Sequence, residues 1–255
     1  MPKTHFIPVA EEEQIAVDWT VPGEPHGQRA AVFVHGFASN RQGEKAAFFA
    51  ERFQAAGWHF LSLDMRGHGD SSGGMETLSL SRCIEDLAAA LDWMPGEMEP
   101  PLLIASSMGG AVAAWYNLLY PGRVGAMACI APSFSFPSHL REELAPEELT
   151  AWRERGLRRV QNEWLDVEVG YCLLEDAENY DPARLVKEYA APTLIFHGVQ
   201  DDAVDWRESR RFMEDCPCPS IDLLLIKEGD HRLTDYKEYM FETTMAWLRR
   251  SFPAE

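Results

Sequence analysis

A length of 255 residues suits a single α/β domain with a sizeable core, and 46% hydrophobic with 25% charged residues is the balance of an ordinary soluble globule. A formal net charge of −18 argues against nucleic acid and against anionic membrane surfaces, since both ask for a basic footprint. Five scattered cysteines (Cys83, Cys129, Cys172, Cys216, Cys218) lack the spacing of a redox or zinc pair, and residues 1–14 carry no apolar signal core. Reduced thiols in a cytoplasmic protein are therefore expected.

In chain order, Phe6 to Val9 and Ile15 to Trp19 flank an acidic turn, as an N-terminal hairpin would. Ala30 to Val34 is a continuous apolar run suited to a strand covered on both faces. It ends in His35-Gly36-Phe37. A helix is expected over Glu44 to Ala56, with Gly57 as its cap. The next strand, Trp58 to Leu63, runs into the turn-rich Asp64 to Ser71. Leu80, Ile84, Leu87, Leu91 and Met94 then recur at helical steps and stop before Pro95-Gly96.

The run Leu102 to Ala105 ends abruptly in Ser106-Ser107 and leads into a helix expected over Val112 to Tyr120. No charge falls between Leu102 and Tyr120, but serines, glycines and an Asn interrupt the stretch, so it is not read as a membrane span. A serine at a strand-to-helix turn sits on a tight backbone that tolerates only small residues two places before and after it. Ser107 has Ala105 and Gly109 there. Ser106 would have Ile104 and Met108. Ser107 is the candidate nucleophile.

After a strand at Gly125 to Ile130 the pattern changes. Ser133 to Asn179 shows two charged, helix-like pieces, Glu147 to Arg159 and Asp166 to Glu178, and no strand of the earlier kind. It reads as a short helical cap inserted at about 133–180. Strands resume at Thr193 to Phe196 and Ile221 to Ile226, with helices near Trp206 to Met213 and Asp235 to Arg250. Such alternation predicts one α/β domain with a doubly wound, mostly parallel sheet. No internal repeat is visible.

Acyl transfer from a serine needs a base, a carboxylate to orient it, and amide donors for the oxyanion. In an open α/β sheet these belong on loops after the strands. The loop after Phe196 offers Asp201 and Asp202, with Asp205 more distant. The loop after Ile226 offers His231.

These stretches together resemble the α/β-hydrolase superfamily of serine hydrolases. His35-Gly36-Phe37 matches its oxyanion loop and Ala105-Ser106-Ser107-Met108-Gly109-Gly110 its nucleophile elbow. His197-Gly198 with Asp201 and Val204 matches its acid loop, and Gly229-Asp230-His231-Arg232 its histidine loop. The resemblance implies Ser107 as nucleophile, His231 as base, Asp201 rather than Asp202 as its partner, and the N–H groups of Phe37 and Met108 as the oxyanion hole. Within the superfamily, Asp64 to Ser72, Trp152 to Gly156, Leu173 to Asp176 and Tyr180-Asp181 are similar to small bacterial cinnamoyl and feruloyl esterases. The same motifs are similar to a subgroup of acyl-protein thioesterases and acyl-glucuronide hydrolases.

The expected activity is cofactor-free cleavage of carboxylic esters of small or aromatic acyl groups. Thioester hydrolysis and a non-catalytic binding role remain as alternatives. The partner is a small-molecule ester, with no nucleic acid and no membrane. Phe37, Phe134, Trp152 and Trp164 are candidate pocket walls. His35, His68 and His197 are expected to brace loops. No histidine pair has helical ligand spacing, so no metal is expected.

Overall fold

The computed structural model describes residues 2–162 and 165–252. An antiparallel pair opens the chain, β1 (Lys3–Ala10) and β2 (Glu13–Thr20). Alternating units follow: β3 (Ala30–Val34), α1 (Glu44–Ala55), β4 (His59–Leu63), α2 (Leu80–Trp93), β5 (Leu102–Ser106), α3 (Met108–Leu119) and β6 (Ala126–Ile130). An insertion then carries α4 (Leu140–Glu143), α5 (Pro146–Arg155), β7 (Leu157–Asn162), β8 (Leu165–Gly170), α6 (Cys172–Asp176) and α7 (Pro182–Glu188). The last elements are β9 (Thr193–Gly198), α8 (Trp206–Asp215), β10 (Ile221–Ile226) and α9 (Lys237–Ser251).

The eight-stranded sheet has the order β1-β2-β4-β3-β5-β6-β9-β10, and from β4 to β10 every pairing is parallel. β3 to β6 are five-residue strands buried at every position, because helices cover both faces. Alternation divides their side chains. Ala31 and Phe33 join Phe49, Phe53, Phe241 and Trp247 on the α1/α9 face. Val32 and Val34 join Leu87, Val112 and Trp115 on the α2/α3 face. Both faces are apolar.

The chain leaves β3 for β4 on one side and later crosses to β5 on the other, so the order reverses at β3. Loops at the carboxyl ends of β3 and β5 diverge there and leave a crevice. Residues 35–37 and Ser107 sit on those two loops. Among the described residues no helix is long and apolar enough to cross a membrane. The uncharged stretch 102–120 is instead a buried strand and a helix that emerges at its last turn.

Two expectations need correction. α3 begins at Met108, not Val112. Gly109 and Gly110 are helical and serve close approach: a Cβ on Gly109 would stand 2.3 Å from the Val34 carbonyl oxygen, and one on Gly110 would stand 2.6 Å from Pro132 Cβ. The insertion is also not wholly helical. Gly156, at φ 74°, ends α5, and β7 and β8 form an antiparallel ribbon where two helices were expected to run. The alternation Leu165-Asp166-Val167-Glu168-Val169 is the strand signal, and its charged positions face solvent.

The insertion docks on the segment that leads into α2. Asp176 accepts from the Ser81 N–H at 2.8 Å and its hydroxyl at 2.6 Å, and Gly170 packs against the Glu76 carbonyl. Trp152 is 3% exposed, stands edge-on to Tyr171, and donates from Nε1 to the Val169 carbonyl at 3.0 Å. Replacing it with alanine empties the contact between α5 and β8. Trp152→Ala is expected to cost about 3–5 kcal/mol, read from the midpoint of denaturant unfolding.

Candidate active site

Ser107 joins β5 to α3 with φ 52° and ψ −120°, a conformation that costs an L-residue on the order of 1–3 kcal/mol. Neighbouring backbone holds it there. Its N–H donates to the Ile130 carbonyl at 3.0 Å, and its carbonyl accepts from the N–H groups of Gly110 at 2.8 Å and Ser133 at 3.2 Å. A Cβ on Gly36 would come within 3.1 Å of Ser107 Cβ, so the β3 loop must be bare at that point. Ser106 is buried in the strand, whereas Ser107 is half-exposed at the crevice.

The loops after β9 and β10 bring the other two side chains to this serine. His231 Nε2 lies 3.1 Å from Ser107 Oγ, and His231 Nδ1 lies 2.8 Å from Asp201 Oδ2. The two loops meet backbone to backbone. The Gln200 N–H donates to the Gly229 carbonyl at 2.9 Å, and a Cβ on Gly198 would stand 2.2 Å from that oxygen. Asp202, the alternative acid, is exposed.

Asp201 is closed in by donors. Oδ1 accepts from the N–H groups of Ala203 at 2.9 Å and Val204 at 2.8 Å, and Oδ2 also faces His197 Nε2 at 3.1 Å. Burial pushes its carboxyl up, but the hydrogen bonds from His197 and His231 prevail and hold it well below the usual carboxylate range. His197 Nε2 faces Asp201 and the Val204 carbonyl, so its proton belongs there, and Nδ1 accepts from the Ser209 hydroxyl at 2.7 Å. It braces the acid loop.

The loop after β3 rests on two more histidines. His35 Nε2 accepts from the Met65 N–H at 3.1 Å, which leaves Nδ1 to donate to the Gly36 carbonyl at 2.7 Å. Burial and the adjacent His68 push it down to about 3, so it stays neutral. His68 Nε2 accepts from the N–H of Ala38, a residue at φ 52°. The Phe37 N–H and the Met108 N–H, the latter in the first turn of α3, have no acceptor among the described residues.

Charged supports of this loop were missed in the sequence. Arg41 is 4% exposed and reaches Asp64, Asp18 and Asp70, tying the β3 loop to the β4 loop. Arg66 donates from its N–H and Nε to Asp86 at 2.7 and 2.6 Å. Pairing partners far along the chain were not legible.

Residues 25–168, more than half of the chain, match the family model Hydrolase_4, described as serine aminopeptidase, S33. The chain belongs to this family of α/β-hydrolases. It is 25% identical over 207 residues to the mitochondrial palmitoyl-protein thioesterase ABHD10 of Mus musculus, covering 80% of this chain and 69% of that protein. It is 33% identical over 183 residues to a monoacylglycerol lipase of Mycolicibacterium smegmatis, covering 71% of this chain and 60% of that protein. Ferulic-acid-bound Est1E from Butyrivibrio proteoclasticus superposes with a TM-score of 0.81 at 19% identity, covering 96% of this chain and 99% of that chain. That likeness carries the shared fold and nothing finer.

The expected pocket walls of this α/β-hydrolase separate in the structure. Phe37 is half-buried, with its ring centroid 6.4 Å from that of Phe136, whose ring lies 6.0 Å from His139. Phe134 points elsewhere: it stacks on Phe212 at 3.8 Å and lines a groove of about 590 Å³ between α7 and α8, whose walls do not include Ser107. Trp152 packs the insertion, as described above. Trp164 lies outside the described residues. Among the described residues no group of three His, Cys, Asp or Glu side chains is arranged to hold a metal ion.

Because the Asp201 carboxyl is depressed, it contributes stability above the ordinary carboxylate range and loses it as pH falls through its folded value. The destabilisation caused by Asp201→Asn is therefore expected to be largest near neutral pH and to shrink below about pH 4. Denaturant midpoints measured across that range check this. Asp202→Asn, on an exposed side chain, should leave the midpoint unchanged throughout.

Proposed function

We propose that the protein is a serine hydrolase that cleaves carboxylic esters of small or aromatic acyl groups through an acyl-enzyme. The observation that carries this reading is the hydrogen-bonded run Ser107–His231–Asp201, with the serine held at positive φ where the strand order reverses. Ser107 Oγ attacks the ester carbonyl while His231 Nε2 takes its proton. Asp201 fixes the proton on Nδ1 and steadies the imidazolium. The carbonyl oxygen, now an oxyanion, accepts from the free N–H groups of Phe37 and Met108. His231 then protonates the departing alcohol. In the second half a water gives its proton to His231 and attacks the acyl carbon, which frees the acid and restores Ser107.

Each group has the environment its role asks for. A carboxylate held ionised keeps the imidazole in one tautomer. The amides assigned to the oxyanion have no acceptor among the described residues, so they need no rearrangement to donate to it. Half-buried Phe37, with Phe136 packed beside it, offers aromatic surface next to the assigned oxyanion amides, which suits an aryl acyl group. No cofactor enters these steps. The strongly acidic surface favours a small-molecule ester over nucleic acid or an anionic membrane. Segment 133–180 serves as a cap, and five free cysteines fit the reducing cytoplasm.

Thioester hydrolysis is the second reading, favoured by likeness to a palmitoyl-protein thioesterase over 80% of the chain. The same residues would serve. A thiolate leaves with a conjugate-acid pKa of about 8.5, so it needs less proton delivery from His231 than an alkoxide does. Aryl and alkyl esters compared with acyl thioesters of equal chain length separate the two readings by kcat/KM. Ser107→Ala is expected to lower ester turnover on the order of 10⁴- to 10⁶-fold in a folded protein. A fluorophosphonate should label Ser107 in the natural chain and nothing in the variant. Full turnover by Ser107→Ala overturns the mechanism, and absence of any adduct would point to a binding role.

A further inference from the structure

The loop carrying His231 runs from the end of β10 at Ile226 to the start of α9 at Lys237. Two of the contacts that steady it from its own side of the sheet flank His231 closely. The Gly229 carbonyl accepts from the Gln200 N–H, and Asp230 Oδ1 accepts from the N–H of Leu233, itself at φ 50°, at 2.8 Å. A third crosses from the other half of the chain. Lys45, in the first turn of α1, donates from Nζ to the Arg232 carbonyl at 2.8 Å, 187 residues away.

We propose that Lys45 is a positioning residue for hydrolysis: its ammonium, bonded to the carbonyl next to His231, sets the height of the imidazole over Ser107. This rests on reading Ser107, His231 and Asp201 as the reacting groups.

The surroundings separate Lys45 from ordinary ion pairing between α1 and α9. That pairing is supplied by its neighbours, since Glu44 pairs with Lys237 and Arg52 with Glu238. Lys45 turns instead to a main-chain oxygen, and so fixes the backbone of the histidine loop whatever the Arg232 side chain does. Four charged groups face it. Asp230, Glu44 and Asp201 favour its proton, Arg232 opposes it, and burial outweighs them to lower the ammonium to about 8. A neutral amine donates a weaker bond, so the tether slackens as pH rises through that value. A residue that never touches substrate then gives turnover an alkaline limb.

The test uses Lys45→Met and Lys45→Arg in the full chain. It measures kcat and KM for p-nitrophenyl acetate across neutral and alkaline pH, together with amide hydrogen exchange at Leu233. The Met variant should lose on the order of 10- to 100-fold in kcat at neutral pH, keep its KM, and lose the alkaline limb. The Arg variant should recover most of kcat and move the limb to higher pH, because a guanidinium keeps its proton. Exchange at Leu233 should quicken in the Met variant alone. Unchanged exchange there, wild-type kcat in the Met variant, or an Arg variant as impaired as Met overturns the proposal. Should Ser107→Ala keep its turnover, the reading of the reacting groups fails, yet exchange at Leu233 still decides whether Lys45 holds the loop.

Discussion

A serine at φ 52° does not stay there by its own preference; the strands on either side must hold it. Ile130 on β6 takes its N–H, Gly110 and Ser133 bond its carbonyl, and Gly36 from the β3 loop lies against its Cβ. Each of these needs a close backbone approach. That is why the residues around the turn are small: Gly36, Gly109 and Gly110 leave room where a side chain would meet main chain, Ser107 Cβ or Pro132. The sheet order follows from the same demand. β3, β5 and β6 are consecutive in the sheet although β4 intervenes in sequence, and only that order presents three strand ends to one serine.

On the far side, the acid and histidine loops are fixed to each other before either is fixed to the serine. Gly198 and Gly229 touch with no side chain between them, so β9 and β10 deliver Asp201 and His231 as one unit. Strain recurs at the edges of this unit and of the β3 loop. Leu233 and Ala38 both have positive φ, and each is tied down by a named partner: Leu233 by the Asp230 carboxylate, Ala38 by the His68 ring. Among the described residues, positive φ outside glycine thus recurs where loops approach the crevice, with Glu12 in the β1–β2 turn as the exception.

How much of this the sequence disclosed depended on the range of the interaction. Continuous apolar runs such as Ala30 to Val34 suited covered strands, and loop motifs at their ends were local enough to read. Asp201 and Asp202 were not separable by position alone; burial and two histidine donors distinguish them in three dimensions. The insertion misled because Arg153 to Arg159 looks like a charged helix face, while the period-two signal in residues 165–169 spans only five residues. Phe134 and Trp152 were aromatics of the inserted segment, yet packing claimed both. Arg41 was illegible as a support because Asp18, Asp64 and Asp70 reach it from three separate stretches.

The histidines show how environment, not residue type, assigns a role. His35 and His197 are fully buried, and each has both ring nitrogens matched to fixed protein groups. His231 shares the Asp201 carboxylate with His197, but its other nitrogen meets a hydroxyl at a half-open crevice. One carboxylate therefore serves two imidazoles differently. It locks His197 in place as part of the scaffold, and it leaves His231 oriented with one nitrogen turned toward the serine. A fixed ring on one side of Asp201 steadies the carboxylate for the ring on the other, since the carboxylate cannot swing away without breaking its bond to His197.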